Sequence, residues 1–171
     1  LAADRGPFER FAANREAIQK VGFPYIASCL WSSGLYDPDM GGLWVGKAYG
    51  GENDYWQRDP VANLSHGATA VSVAKLLTAL AQGRLVDAAA SREMLEILGN
   101  PGLNHKFVRG LDLRPSTIYR KSGSWREWHG DAALVERDGK RYVAVALLQH
   151  PDGERLLQRL IVRLDDCVDD R

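Results

Sequence analysis

A lysine, a hydroxyl and a glycine stand in a row at Lys121-Ser122-Gly123, followed by Ser124 and Trp125. Side by side on a strand, a lysine and a hydroxyl can hold a carboxylate by charge and hydrogen bond together. The glycine lets a ligand lie close against the backbone. The next N–H, that of Ser124, is then placed as an oxyanion donor. The competing reading is a solvated strand end running into a turn, since so short a motif often arises by chance. A second constellation is Ser72-Val73-Ala74-Lys75, whose spacing puts a hydroxyl and an amine one helical turn apart, as a nucleophile and its base require. Ser72, Lys75, Ala79 and Gln82 form the face opposite the leucines, which points to a solvated face instead. Ser65 and His66 are adjacent and do not face each other productively, so they read as the approach to a helix with Thr69 as N-cap. Glu52, in Gly-Glu-Asn-Asp, is either a general base or a surface loop acid. His129 and Asp131 are ligand types for a metal, but a third ligand at useful spacing is missing. No cofactor and no metal are called for.

The elements that must position the lysine row are legible from pattern. Thr117 to Lys121 reads as a strand ending in the row itself. Asp131 to Glu136 and Arg141 to Gln149 are two further strand-like runs joined at Asp138-Gly139, a strong hairpin signal because both turn residues must accept positive φ. Arg141 to Gln149 is almost continuously apolar and reads as a strand covered on both faces. Gly153 to Val168 reads as a helix capped by Asp152, with Leu156, Leu157, Leu160, Ile161, Leu164 and Val168 as a wide apolar stripe. Upstream, helices are expected over Pro7 to Val21, over Pro24 to Ser33, from the Thr69 cap to a stop at Gly83, and over Ala88 to Leu98, with a short turn at His105 to Val108. Asn14 and Arg15 read as exposed helix polars. The stretch 35–64 holds many glycines and several aromatics without a period, and reads as a long loop. Trp125 and Trp128 bracket Arg126 and either line the rim of a site or pack over the strand end.

A strand carrying Arg-Lys-Ser-Gly-Ser-Trp, then Trp-His-Gly-Asp-Ala-Ala-Leu-Val-Glu, then a buried strand and a terminal amphipathic helix, resembles the C-terminal part of class A β-lactamase-like serine hydrolases. These belong to the superfamily of β-lactamases and penicillin-binding DD-peptidases, whose third motif is Lys-Thr/Ser-Gly on the strand lining the active site. The resemblance covers roughly residues 60–168, and more loosely the chain before them. It implies an α/β fold of the α+β type: an antiparallel sheet flanked by helices, in one domain over 1–171 that apparently lacks its N-terminal part. It implies that Lys121 and Ser124 are catalytic and that Lys121, Ser122, Gly123, Ser124 and Trp125 bind substrate. The reaction implied is attack by a serine on a β-lactam or peptide-like amide, giving an acyl-enzyme. The family's Ser-x-Asn motif occurs nowhere here, Glu-x-x-Leu-Asn does not surround Glu52, and Ser-x-x-Lys at 72–75 falls in the wrong order. The expectation is therefore a fragment or a degenerate relative without its nucleophile. Its alternative is a non-catalytic protein of the same fold that binds peptidoglycan-like ligands or a protein partner.

Composition narrows the partners. The chain has 171 residues, enough for a real core, with 22 Lys plus Arg against 22 Asp plus Glu. A formal charge of zero gives no support to a nucleic-acid partner. No apolar run approaches the roughly 18 residues of a membrane span. Cys29 and Cys167 make neither a disulfide framework nor a zinc site. The expected partners are a small-molecule substrate and, to cover the edge of a truncated sheet, a second chain completing the fold. The resemblance implies a periplasmic or secreted location.

Overall fold

The computed structural model describes Glu16, residues 20–46 and residues 58–170. Its packing falls into two units, Leu1–Val73 and Ala74–Arg171. Glu52, Asn14 and Arg15 lie outside the described residues. So does most of the Pro7 to Val21 helix, of which Glu16, Lys20 and Val21 are described and helical.

In the first unit, helix α1 (Phe23–Ser32) is followed by short strands β1 (Tyr36–Asp37), β2 (Gly41–Gly42), β3 (Trp44–Val45) and β4 (His66–Gly67). Strand β1 pairs with β2, and β3 with β4, both antiparallel. The stretch expected to be one long loop therefore contains paired backbone. Gly42 permits the β1–β2 approach, because a Cβ there would meet the Leu35 carbonyl oxygen at 2.3 Å. The apolar centre is Leu35, Tyr36 and Trp44. The buried Asp59 carboxylate accepts from the Tyr36 hydroxyl and from the Val61 and Ala62 N–H groups. Burial pushes the Tyr36 hydroxyl up, and its hydrogen bond to Asp59 adds to that.

Helix α2 (Ala70–Ala81) begins with a reciprocal cap: Ser72 N–H donates to Thr69 Oγ1 at 3.1 Å, and Thr69 N–H donates to Ser72 Oγ at 3.1 Å. Ser72 is thus buried, at 5% exposure, and not on a solvated face. Sequence periodicity separated polar from apolar residues but could not see that the first turn folds its hydroxyl back onto Thr69.

In the second unit, Gly83 takes φ +68° and ends α2. Asp87 caps α3 (Ala88–Leu98) by accepting the Ala90 N–H at 2.8 Å. A five-residue helix, α4 (Lys106–Gly110), follows. Strands β5 (Thr117–Trp125), β6 (Trp128–Arg137) and β7 (Lys140–Gln149) form an antiparallel sheet in that order, and α5 (Gly153–Asp169) closes it. Asp138 and Gly139 have φ of +50° and +76°, as the two-residue turn demands.

The lengths differ from pattern in an instructive way. Strand β5 continues past Lys121 to Trp125, because residues 121–125 pair one for one with 132–128. The lysine row is therefore inside a strand, not at its end. The strand covered on both faces is β6, where Asp131 through Val135 are all buried. Strand β7 lies at the side of the three and leaves Leu147 48% exposed. An apolar run marked β7, but centrality in the sheet decides which strand is enclosed.

The core joins Phe107, Leu111, Ala133, Val135, Ala144, Leu157 and Ile161. Fully burying each large side chain contributes about 2 kcal/mol. The buried side chains of α5 are Leu157, Ile161 and Asp165, with Leu164 partly buried against the core, while Leu156 and Leu160 of the expected stripe are each 37% exposed. Asp152 stands before α5 and its carbonyl accepts the Leu156 N–H at 3.1 Å, but its carboxylate caps no helix N–H and pairs with Arg155 instead. Gly110 lets α4 approach α5, since a Cβ would meet the Gln158 carbonyl oxygen at 2.6 Å.

Candidate active site

Alternation along β5 turns Lys121 and Ser122 to opposite faces of the strand, with Gly123 on the Lys121 side. Lys121 is exposed and its Nζ donates to the Ser122 carbonyl oxygen at 2.7 Å. Ser122 is half-buried, and its Oγ lies 3.4 Å from His105 Nε2. At Gly123 an added Cβ would meet nothing within 4 Å, so the strand surface beside Lys121 is open. Ser124 is exposed, with Oγ 3.4 Å from His129 Nδ1. Strand β5 pairs on one side only within this unit, with β6. The row thus presents an ammonium, a hydroxyl and bare backbone along a sheet edge.

Trp125 and Trp128 are cross-strand partners at the hairpin tip, 63% and 53% exposed. Arg126 sits between them at φ +52°, its guanidinium carbon 4.5 Å from the Trp125 ring centroid. Both aromatics are thus largely exposed at the hairpin tip.

Beneath the row lies a buried ionic frame that pattern reading missed. Arg120 donates from Nε to Asp131 Oδ1 at 2.7 Å and from an Nη to Asp131 Oδ2 at 2.8 Å, and both side chains are enclosed. The remaining guanidinium bonds go to the Leu103 and His105 carbonyls. Asp131 also accepts the Phe107 N–H at 3.0 Å. The pair therefore binds residues 103–107 to β5 and β6, directly behind Lys121 and Ser122. Asp131 is thereby committed to Arg120, not to a metal, and the described residues contain no group that could hold one.

Lys106 completes the frame. It is fully buried at φ +50°, and its Nζ donates to the Gly123 carbonyl at 2.5 Å and the Gly130 carbonyl at 3.1 Å. Gly123 and Gly130 are register partners, so one ammonium ties both strands at the row. Burial pushes the Lys106 amine below the ordinary lysine range, reinforced by the Arg120 charge and opposed by Asp131. His105 also sits below its usual range, first through burial and then through the Arg120 and Lys106 charges. Its other nitrogen, Nδ1, is 3.8 Å from Glu154 Oε2 at the start of α5. One signal for this frame was present in sequence: Arg120 and Asp131 are charged residues inside strand runs, positions that need an ionic partner when enclosed.

The remaining candidates belong to the first unit, where each has contacts of its own. Ser72 is engaged in the α2 cap. His66 lies in β4, and Ser65 accepts the Gly46 N–H through its carbonyl at 2.8 Å.

The chain is similar to known proteins in both sequence and fold. The model of the Beta-lactamase enzyme family matches residues 18–165. No curated protein matches the sequence. Among solved structures, PBP-A superposes with a TM-score of 0.69 at 20% identity, covering 90% of this chain and 54% of that one. A β-lactamase from Sphaerobacter thermophilus gives 0.66 at 20% identity, with 90% and 54% covered. A β-lactamase from Francisella tularensis gives 0.66 at 15%, with 95% and 65% covered. At these identities the likeness shows the fold, an antiparallel sheet with helices of the β-lactamase and penicillin-binding type. The chain spans about half the length of the first two structures. With 148 consecutive positions under one family model (18 through 165, both included), the chain belongs to the Beta-lactamase enzyme family.

Proposed function

We propose that the β5 edge is the substrate-carboxylate half of a serine hydrolase site acting on β-lactams or related amides. The observation that carries this reading is the row itself: an exposed Lys121, a half-buried Ser122 hydroxyl and open space at Gly123 on one strand edge. In this reading Lys121 Nζ and Ser122 Oγ bind a ligand carboxylate, and the ligand backbone lies along Gly123 as an added strand. The Ser124 N–H receives the carbonyl oxygen as it gains charge. Lys106, Arg120 and Asp131 hold that edge in place, so that little reorganisation accompanies binding. Trp125 meets the remainder of the ligand at the rim. In this reading the nucleophile is not one of the residues of this row. A variant of PBP-A forms an acyl-enzyme complex with penicillin G, and the same serine chemistry is proposed here. The single-domain organisation over 1–171 and a periplasmic or secreted location go with this reading. No helix among the described residues is long and apolar enough to cross a membrane.

Intact mass after incubation with penicillin G tests the reading, on this chain and on any longer product of the same gene. A stable adduct on the longer product, slowed at least about tenfold by Lys121→Ala, is expected from the loss of one charge-assisted contact. An adduct on this chain that Ser72→Ala removes would overturn the placement of the nucleophile. Absence of any adduct on either would favour a non-catalytic binding protein of the same fold.

A further inference from the structure

We infer that His105 positions the Ser122 hydroxyl and, by its protonation, makes the β5 edge a stronger carboxylate site in acid than in neutral solution. The inference rests on the carboxylate reading above.

The geometry gives His105 two distinct neighbours, one for each ring nitrogen. Nδ1 faces the Glu154 carboxylate at 3.8 Å, and Nε2 faces Ser122 Oγ at 3.4 Å. In the neutral ring the carboxylate draws the single proton to Nδ1, which leaves Nε2 as an acceptor. The Ser122 O–H then donates to Nε2 and is turned away from a ligand. When the ring is protonated, Nε2–H donates to Ser122 Oγ. The hydroxyl proton is released to the ligand carboxylate, and a positive charge is added behind it.

The other charged groups facing the ring come from each element packed around it: Arg120 on β5, Lys106 on α4, Asp131 on β6 and Glu154 on α5. Arg120 and Asp131 hold each other as a buried pair. Lys106 is fixed on two carbonyls. Burial and the two cations keep the ring neutral near pH 7. A bound carboxylate offsets those cations, so proton and ligand bind cooperatively. By linkage, each strengthens the other by the same factor.

The test is an NMR titration of the full chain with N-acetyl-D-alanine, whose carboxylate stays ionised between pH 5 and 8 at a pKa near 3.5. Affinity is expected to be about threefold to tenfold stronger at pH 5 than at pH 8. The His105 ring signals should report a titration midpoint raised by roughly half a unit to one unit on saturation. His105→Gln should bind the ligand with no pH dependence in this range. If that variant does not fold, the midpoint shift in the unaltered chain decides the matter. Binding that is saturable and lost in Lys121→Ala, yet flat with pH, would overturn the role of His105 and leave the carboxylate site standing. Persistence of the pH dependence in His105→Gln would overturn it too. No carboxylate-dependent binding at any pH would overturn the site and the inference together.

Discussion

Two ionic clusters sit toward opposite ends of β6, and they are built on different charge balances. Near its start, Arg120 and Lys106 act on Asp131, with Lys121 exposed on the neighbouring strand and Glu154 partly exposed at the margin. Near its end, Arg114 and Arg137 both reach Asp165, Arg114 also reaches Asp166, and Arg137 also reaches Asp138 and Asp169. Tyr142 donates to Asp165 at 2.8 Å. The second cluster pairs its charges among α5, β6, β7 and the segment before β5, and so anchors the closing helix. The first carries a surplus of cations at a strand edge with open space beside it. Both fasten helix to sheet, but of the two only the first holds more cations than carboxylates among the described residues. A buried ion pair is weak evidence of stability, because desolvation offsets its attraction. An exposed cation beside open strand surface is placed to meet a ligand carboxylate.

If that contrast holds, the two clusters should respond differently to substitution. The largest effect is expected from Asp131→Ala, which leaves Arg120 enclosed without its partner and should cost about 3–5 kcal/mol in urea unfolding. Replacing both, with Arg120→Met and Asp131→Leu, should recover most of that stability. Carboxylate affinity should remain weak, because the guanidinium bonds to the Leu103 and His105 carbonyls would be gone. Lys121→Ala should reduce carboxylate affinity about tenfold to thirtyfold by calorimetric titration, while leaving stability within about 0.5 kcal/mol. Asp165→Asn should cost about 1–3 kcal/mol and leave carboxylate binding unchanged. Burial pushes the Asp165 carboxyl up, but Arg114, Tyr142 and the Arg137 charge outweigh it, so its folded value lies below the ordinary carboxylate range. The stabilisation it gives is therefore present above about pH 4 and is lost as pH falls through the folded value. Thermal melts between pH 2 and 6 should show this acid loss in the unaltered chain and a shallower one in Asp165→Asn. The smallest effect is expected from Arg155→Ala, whose pair with Asp152 is exposed on both sides, at no more than about 0.5 kcal/mol.

The sheet was legible because local rules fixed it. Asp138-Gly139 meets a two-residue turn that only positive φ can make, and the strand runs on either side have strand composition. The row Lys121 to Trp125 drew notice by its residue types but was misjudged in place, since no local rule says that a strand with exposed residues on it continues. Of the frame beneath it, only the strand charges Arg120 and Asp131 gave a signal; Lys106 and His105 gave none. Lys106 opens a short helix and looks like any surface lysine; it is buried because the β5–β6 register brings two glycine carbonyls together beneath it. His105 reaches Ser122 across 17 residues of chain and Glu154 across a further element. Such contacts depend on tertiary register, and spacing along the chain carries no trace of them. Ser72 shows the converse: a motif match with sensible spacing is here a helix cap.

The carboxylate site at the β5 edge is tested most directly by ligand-induced thermal stabilisation. Penicillin G and its methyl ester would be compared on the unaltered chain and on Lys121→Ala. The free acid should raise the melting temperature of the unaltered chain in a concentration-dependent way, as a ligand of the folded state must. The ester should raise it much less, and Lys121→Ala should abolish the difference between the two. Equal stabilisation by acid and ester, or a difference that survives in Lys121→Ala, would contradict the assignment of Lys121 and Ser122 as the carboxylate site.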